Sequence, residues 1–103
     1  REAVTMLIHV HVGPSPLGDD RGTYEHVEAA IRVIEASGLE YEVGALGTTI
    51  QGPADQCWTL LRELHDACLT SGAKQVMTHV RILEATDDTI EASMSEVAAR
   101  IIP

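Results

Sequence analysis

Leu46-Gly47-Thr48-Thr49-Ile50-Gln51-Gly52 is the stretch on which the fold turns. Before it, Tyr41-Glu42-Val43-Gly44-Ala45 has a strand pattern; after it, Pro53, Ala54 and Asp55 open like a helix. Gly47 supplies a turn conformation that other residues resist, and Gly52 lets the chain leave the strand sharply. The segment therefore reads as the second arm of a hairpin that feeds a helix. Thr48, Thr49 and Gln51 are neutral hydrogen-bonding groups at a strand end, a common place for a ligand site.

Upstream, residues 3 to 12 alternate. Val4, Met6, Ile8, Val10 and Val12 fall on one face; Thr5, Leu7, His9 and His11 fall on the other. This is a strand with one dry and one mixed face. Prolines, glycines and aspartates predict a loop over 13–22. Thr23 stands where a helix N-cap is expected, with His26 in the capping-box place. Tyr24, Val27, Ile31 and Ile34 then follow at helical spacing, and Ser37-Gly38 ends the helix. A second strand is expected over 40–45, with Leu39, Tyr41 and Val43 toward the core.

Downstream, Cys57, Leu61, Leu64 and Cys68, broadened by Leu60, stripe a second helix that starts near Pro53 and stops at Ser71-Gly72. A fourth strand runs from Gln75 to Leu83. Val76, Thr78, Val80 and Ile82 share one face; Met77, His79, Arg81 and Leu83 share the other. After Thr86-Asp87-Asp88, the residues Ile90, Met94, Val97 and Ile101 predict a short terminal helix.

The order is β-α-β-β-α-β, and each strand has one continuous apolar face for the helices to cover. The expected fold is α+β: a ferredoxin-like sandwich of a four-stranded antiparallel sheet, order 4-1-3-2, with two main helices on one face and a short C-terminal helix. Right-handed crossovers are expected to set strands one and three side by side in the centre and parallel. On that geometry the loop after Val12 and residues 49–52 emerge at one edge, where both helices begin.

A chain of 103 residues predicts one domain, 1–103. Its net charge of −9 repels phosphate backbones, so neither nucleic acid nor an anionic membrane is expected as a partner. Cys57 and Cys68, eleven residues apart on one helix, lie roughly 16 Å apart along its axis, too far to bridge. They read as buried thiols of a reducing compartment, which predicts a cytoplasmic location. No apolar run is long enough to span a membrane and no signal peptide is visible. Arg1 in place of a methionine suggests that an N-terminal piece is missing.

Four motifs in order carry a resemblance. They are Pro16-Leu17-Gly18, then Ser37-Gly38-Leu39-Glu40-Tyr41-Glu42, then Gly47-Thr48-Thr49-Ile50-Gln51-Gly52, then Gly72-Ala73. The chain resembles the small thiamine-binding protein family over nearly its whole length. That resemblance implies a ferredoxin-like domain that assembles through its sheet into homodimers or homotetramers, with thiamine or its pyrimidine part as a ligand of some members. Gln51 stands where the family usually has a glutamate, and Glu84, Asp87 and Asp88 stand where it tends to be basic.

The chemistry is weighed residue by residue. His9, His11 and His79 share strand parity on neighbouring strands, and three histidines on one face could hold a metal. Arg81 lies on the same side, so a mixed polar surface that meets a second sheet is the simpler reading, and no metal site is assigned. No nucleophile setting, phosphate loop or aromatic platform for single-stranded RNA is visible, so no catalytic residue is assigned. The expected function is non-catalytic binding of thiamine or a related pyrimidine, through Pro16, Thr23, Thr48, Thr49 and Gln51. No resident cofactor is expected; thiamine enters only as ligand. The alternatives are an interaction module that acts as a homo-oligomer without a small ligand, or a His-based metal-binding protein.

Overall fold

Alternating side chains build the strands and 3.6-residue stripes build the helices. The computed structural model describes residues 5–16 and 24–84. Its elements are β1 (Thr5–Ser15), α1 (Glu25–Ala36), β2 (Glu40–Val43), β3 (Thr48–Pro53), α2 (Ala54–Ser71) and β4 (Gln75–Glu84). The strands form one antiparallel sheet in the order β2-β3-β1-β4, the expected 4-1-3-2 order read from its other edge. The expected terminal helix lies outside the described residues.

The core holds Met6, Ile8 and Val10 of β1, Ile50 of β3, Ala30 and Ile34 of α1, and Cys57, Leu60, Leu64 and Cys68 of α2. Each large apolar side chain buried there contributes about 1.5–3 kcal/mol. Truncating Leu64, which is fully buried, to alanine would cost about 2–5 kcal/mol. Pro53 occupies the N-cap position of α2, and Gly72, at φ 125°, ends that helix with its N–H donating to the Cys68 and Leu69 carbonyls. That backbone angle favours glycine over any residue with a Cβ.

One expectation is overturned. β1 and β3 are neighbours but antiparallel: Thr5 pairs with Pro53 and Val10 with Thr48. The cause is the hairpin. A crossover helix makes β1 and β2 parallel, and the short turn after β2 reverses the chain, so β3 opposes both strands that flank it. The end of β1 and the end of β3 therefore lie at opposite edges of the sheet, and so do the starts of α1 and α2.

Smaller differences have local causes. β1 continues to Ser15, past the predicted loop boundary at Gly13, because β4 is long enough to pair with it as far as Ser15↔Gln75. Proline is admitted at Pro14 because β3 has already ended on the other side, and that part of β1 is an edge. Helix α1 begins at Glu25, with Tyr24 in the cap position and no side-chain cap bond. Tyr24 is exposed and the buried stripe is His26, Ala30 and Ile34. Tyr41 and Val43 are also exposed, since β2 is an edge strand. Only Leu39, ahead of it, packs against the core.

Candidate functional site

The sheet's pleat divides the expected site residues between two faces. Thr48 lies opposite Val10 and is buried on the helix side. Thr49 and Gln51 point to the other, open side, in register with His9 and Leu7. His9 Nδ1 and Thr49 Oγ1 share a hydrogen bond of 3.1 Å. Gln51 sits between Leu7 and Glu40. Pro16 is exposed past the end of β1, six residues beyond the Thr48 partner, which is roughly 20 Å along the strand. Thr23 lies outside the described residues. The structure thus does not bring Pro16 together with Thr49 and Gln51; their expected meeting depended on β1 and β3 being parallel.

The helix side offers a cleft. A cavity of about 110 Å³ lies between α1 and the sheet, walled by Val10, Val12, Val27, Ile31 and Ile34. Thr48 and the turn glycines Gly44 and Gly47 complete it, with His11 at its border. Gly47 keeps the turn tight: its φ is 156°, and a Cβ there would meet His9 Nε2 at 2.6 Å and the Val10 carbonyl at 2.8 Å. A site of this size is near what one small aromatic ring occupies. Sequence reasoning missed these walls, although Val27 and Ile31 stood in the expected helical stripe. They were read as core, whereas they are only partly buried and border the cleft.

A wider groove of about 300 Å³ lies between Ser37 and Leu39 on one side and α2 on the other, with Asp55 and Glu63 on its rim. It is more open to solvent, and apart from Leu39 and Leu60 its lining residues are polar.

Two polar contacts, the first on a buried histidine and the second partly buried, tie the helices to their surroundings. His26 is fully buried, and its Nδ1 lies 2.6 Å from Ser71 Oγ, joining the start of α1 to the end of α2. His65 on α2 bonds Thr78 on β4 in the same manner. Cys57 and Cys68 are free and buried. Burial first, and the Glu84 carboxylate second, push the Cys57 thiol up to about 11; burial also raises Cys68, against a lowering backbone hydrogen bond.

On the open face, His11 and His79 are register partners with ring centroids 6.1 Å apart, and His9 faces Arg81. The three histidines share a face, as their parity predicts. Among the described residues, no group of three or more His, Cys, Asp or Glu side chains is arranged to hold a metal ion. No described helix is long and apolar enough to cross a membrane.

A family model described as thiamine-binding protein matches residues 10–100. The chain belongs to the thiamine-binding protein family. The chain is also similar to the following proteins. A UPF0045 protein of Clostridium perfringens is 33% identical over 67 residues, which covers 65% of this chain and 70% of the relative. The solved structure of a domain of unknown function, DUF77, from Bacillus cereus superposes with a TM-score of 0.76 at 25% identity, covering 96% of this chain and 91% of that one. A Thermotoga maritima protein assigned provisionally to thiamine biosynthesis or salvage shares the fold, with a TM-score of 0.74 at 22% identity over 93% of this chain and 97% of its own.

Proposed function

We propose that this protein binds thiamine or a related pyrimidine without chemical turnover, with the pyrimidine ring held in the cleft beneath α1. The observation that carries the reading is the cavity of about 110 Å³, walled by apolar side chains, with Thr48 at its floor. Family membership supplies the ligand class. An aromatic ring gains from desolvation against Val10, Val27, Ile31 and Ile34, while a hydroxyl and the backbone groups of the 44–47 turn are suited to fix its polar edge. The cavity is sized for one ring, so the cationic thiazolium of thiamine would project outward, where a chain of net charge −9 favours it.

The protein is further proposed to act in the cytoplasm as a homo-oligomer joined through the open sheet face. Leu7 and Leu83 are register partners at one end of that face, and Met77, 65% exposed, stands at the other end of β4, with the pairs His9–Arg81 and His11–His79 between them. Apolar side chains at both ends of a face, with hydrogen-bonding groups between them, suit an interface.

Calorimetric titration with hydroxymethylpyrimidine and with thiamine tests the ligand. Saturable binding of both, abolished by Ile31→Trp filling the cleft, is expected. Absence of heat with either ligand, in a protein whose circular dichroism is folded, would reject the reading. Light scattering across a dilution series, with Leu7→Glu and Met77→Glu as weakening variants, tests the assembly.

A further inference from the structure

One register row crosses the open face from edge to edge. It reads Glu42 on β2, Thr49 on β3, His9 on β1 and Arg81 on β4. Acid stands at one edge of the sheet and base at the other. Three strand spacings, about 14 Å, separate them, so the two cannot neutralise each other within a chain. Both are exposed, and among the described residues neither has an ion-pair partner. By contrast, Arg32 and Arg62 pair with Glu28 and Asp66 on their own helices.

A row with this order is self-complementary. A two-fold axis placed between two facing sheets and parallel to the strands lays β4 of one copy over β2 of the other and leaves every row at its own height. Arg81 then meets Glu42 of the partner subunit, and Glu42 meets the partner's Arg81. An axis perpendicular to the strands would instead lay β4 over β4 and β2 over β2, so that Arg81 could not meet the partner's Glu42. We propose that two copies of this chain pair face to face about the strand-parallel axis, with an Arg81–Glu42 ion pair closing each edge of the interface.

The inference rests on the open-face assembly proposed above and adds its orientation. Facing sheets lie about 10 Å apart, a gap that an arginine and a glutamate reaching toward each other can close. Two chains of net charge −9 repel on approach, and an ordered acid-to-base row offsets that repulsion locally. The contact is isologous, as a closed dimer requires.

Sedimentation equilibrium on wild type, Arg81→Glu, Glu42→Arg and the double reversal tests the proposal, with circular dichroism to check folding. Each single reversal is expected to raise the dimer dissociation constant about tenfold or more, and the double reversal to return it to within about threefold of wild type. Added salt is expected to shrink these differences. A wild-type dimer indifferent to the single reversals, or single defects that the double fails to repair, overturns the pairing while leaving assembly through the face intact. A wild type that is monomeric throughout overturns both.

Discussion

Thr48 and Thr49 are adjacent in the chain and face opposite sides of the sheet, one buried beneath the helices and the other bonded to His9 on the open face. One residue of register separates two faces with different surroundings. Thr48→Val keeps the shape and removes the hydroxyl; it is expected to weaken hydroxymethylpyrimidine binding roughly two- to tenfold. Thr49→Val is expected to leave that affinity unchanged. Calorimetry on the two variants decides, and a larger effect from Thr49 would move the ligand to the open face.

Gln51→Glu gives a second measurement. A ligand at Gln51 would gain a charge-assisted bond from the new carboxylate, worth roughly 1.5–3 kcal/mol. The register instead sets position 51 across from Glu40, on the face away from the cleft. The expected outcome is unchanged pyrimidine affinity and a stability loss of about 0.2–1 kcal/mol from like charges on paired strands. Paired titrations and urea melts of the variant and wild type check both halves.

The fold was legible because its signals are periodic. Met6, Ile8 and Val10 alternate, Cys57, Leu64 and Cys68 keep helical spacing, and both patterns survive in the core. The site was less legible because it depends on strand direction, which periodicity does not encode. Thr48, Thr49 and Gln51 were found as polar residues at a strand end, but the partner edge assigned to them was the wrong one. His26 escaped notice for another reason: a histidine in the first turn reads as a cap. The stripe His26, Ala30, Ile34, at spacings of four, was the available signal that it is buried.

That buried histidine makes a third prediction. Ser71→Ala removes the hydroxyl 2.6 Å from His26 Nδ1. The expected cost is about 1 kcal/mol, seen as a fall in Tm of roughly 4–8 °C. Thermal denaturation checks it, and an unchanged Tm would show that the other surroundings of the imidazole hold the two helices together unaided.

Alkaline pH supplies the fourth. The Cys57 thiol is raised from 9.0 to about 11 in the folded chain. The neutral form is thus favoured by folding, and an unfolded chain releases that proton first. The associated stability is complete below pH 9.0 and is lost as pH rises toward about 11, on the order of 2 kcal/mol, with Cys68 acting in the same direction. Urea midpoints measured through that window should fall. Cys57→Ala, less stable at neutral pH, should show a shallower decline.

The sheet is missing a corner. β3 begins only at Thr48, opposite Val10, while β1 runs on to Ser15, so past Val10, on the side away from β4, no described strand pairs with β1. The cleft borders that gap, with His11 and the two turn glycines around it. A ligand arriving there need not prise α1 from the sheet, and the core need not open for exchange. Its rates of entry and departure would follow the four-residue turn, a loop motion of nanoseconds to microseconds, rather than the slower breathing of the helix layer.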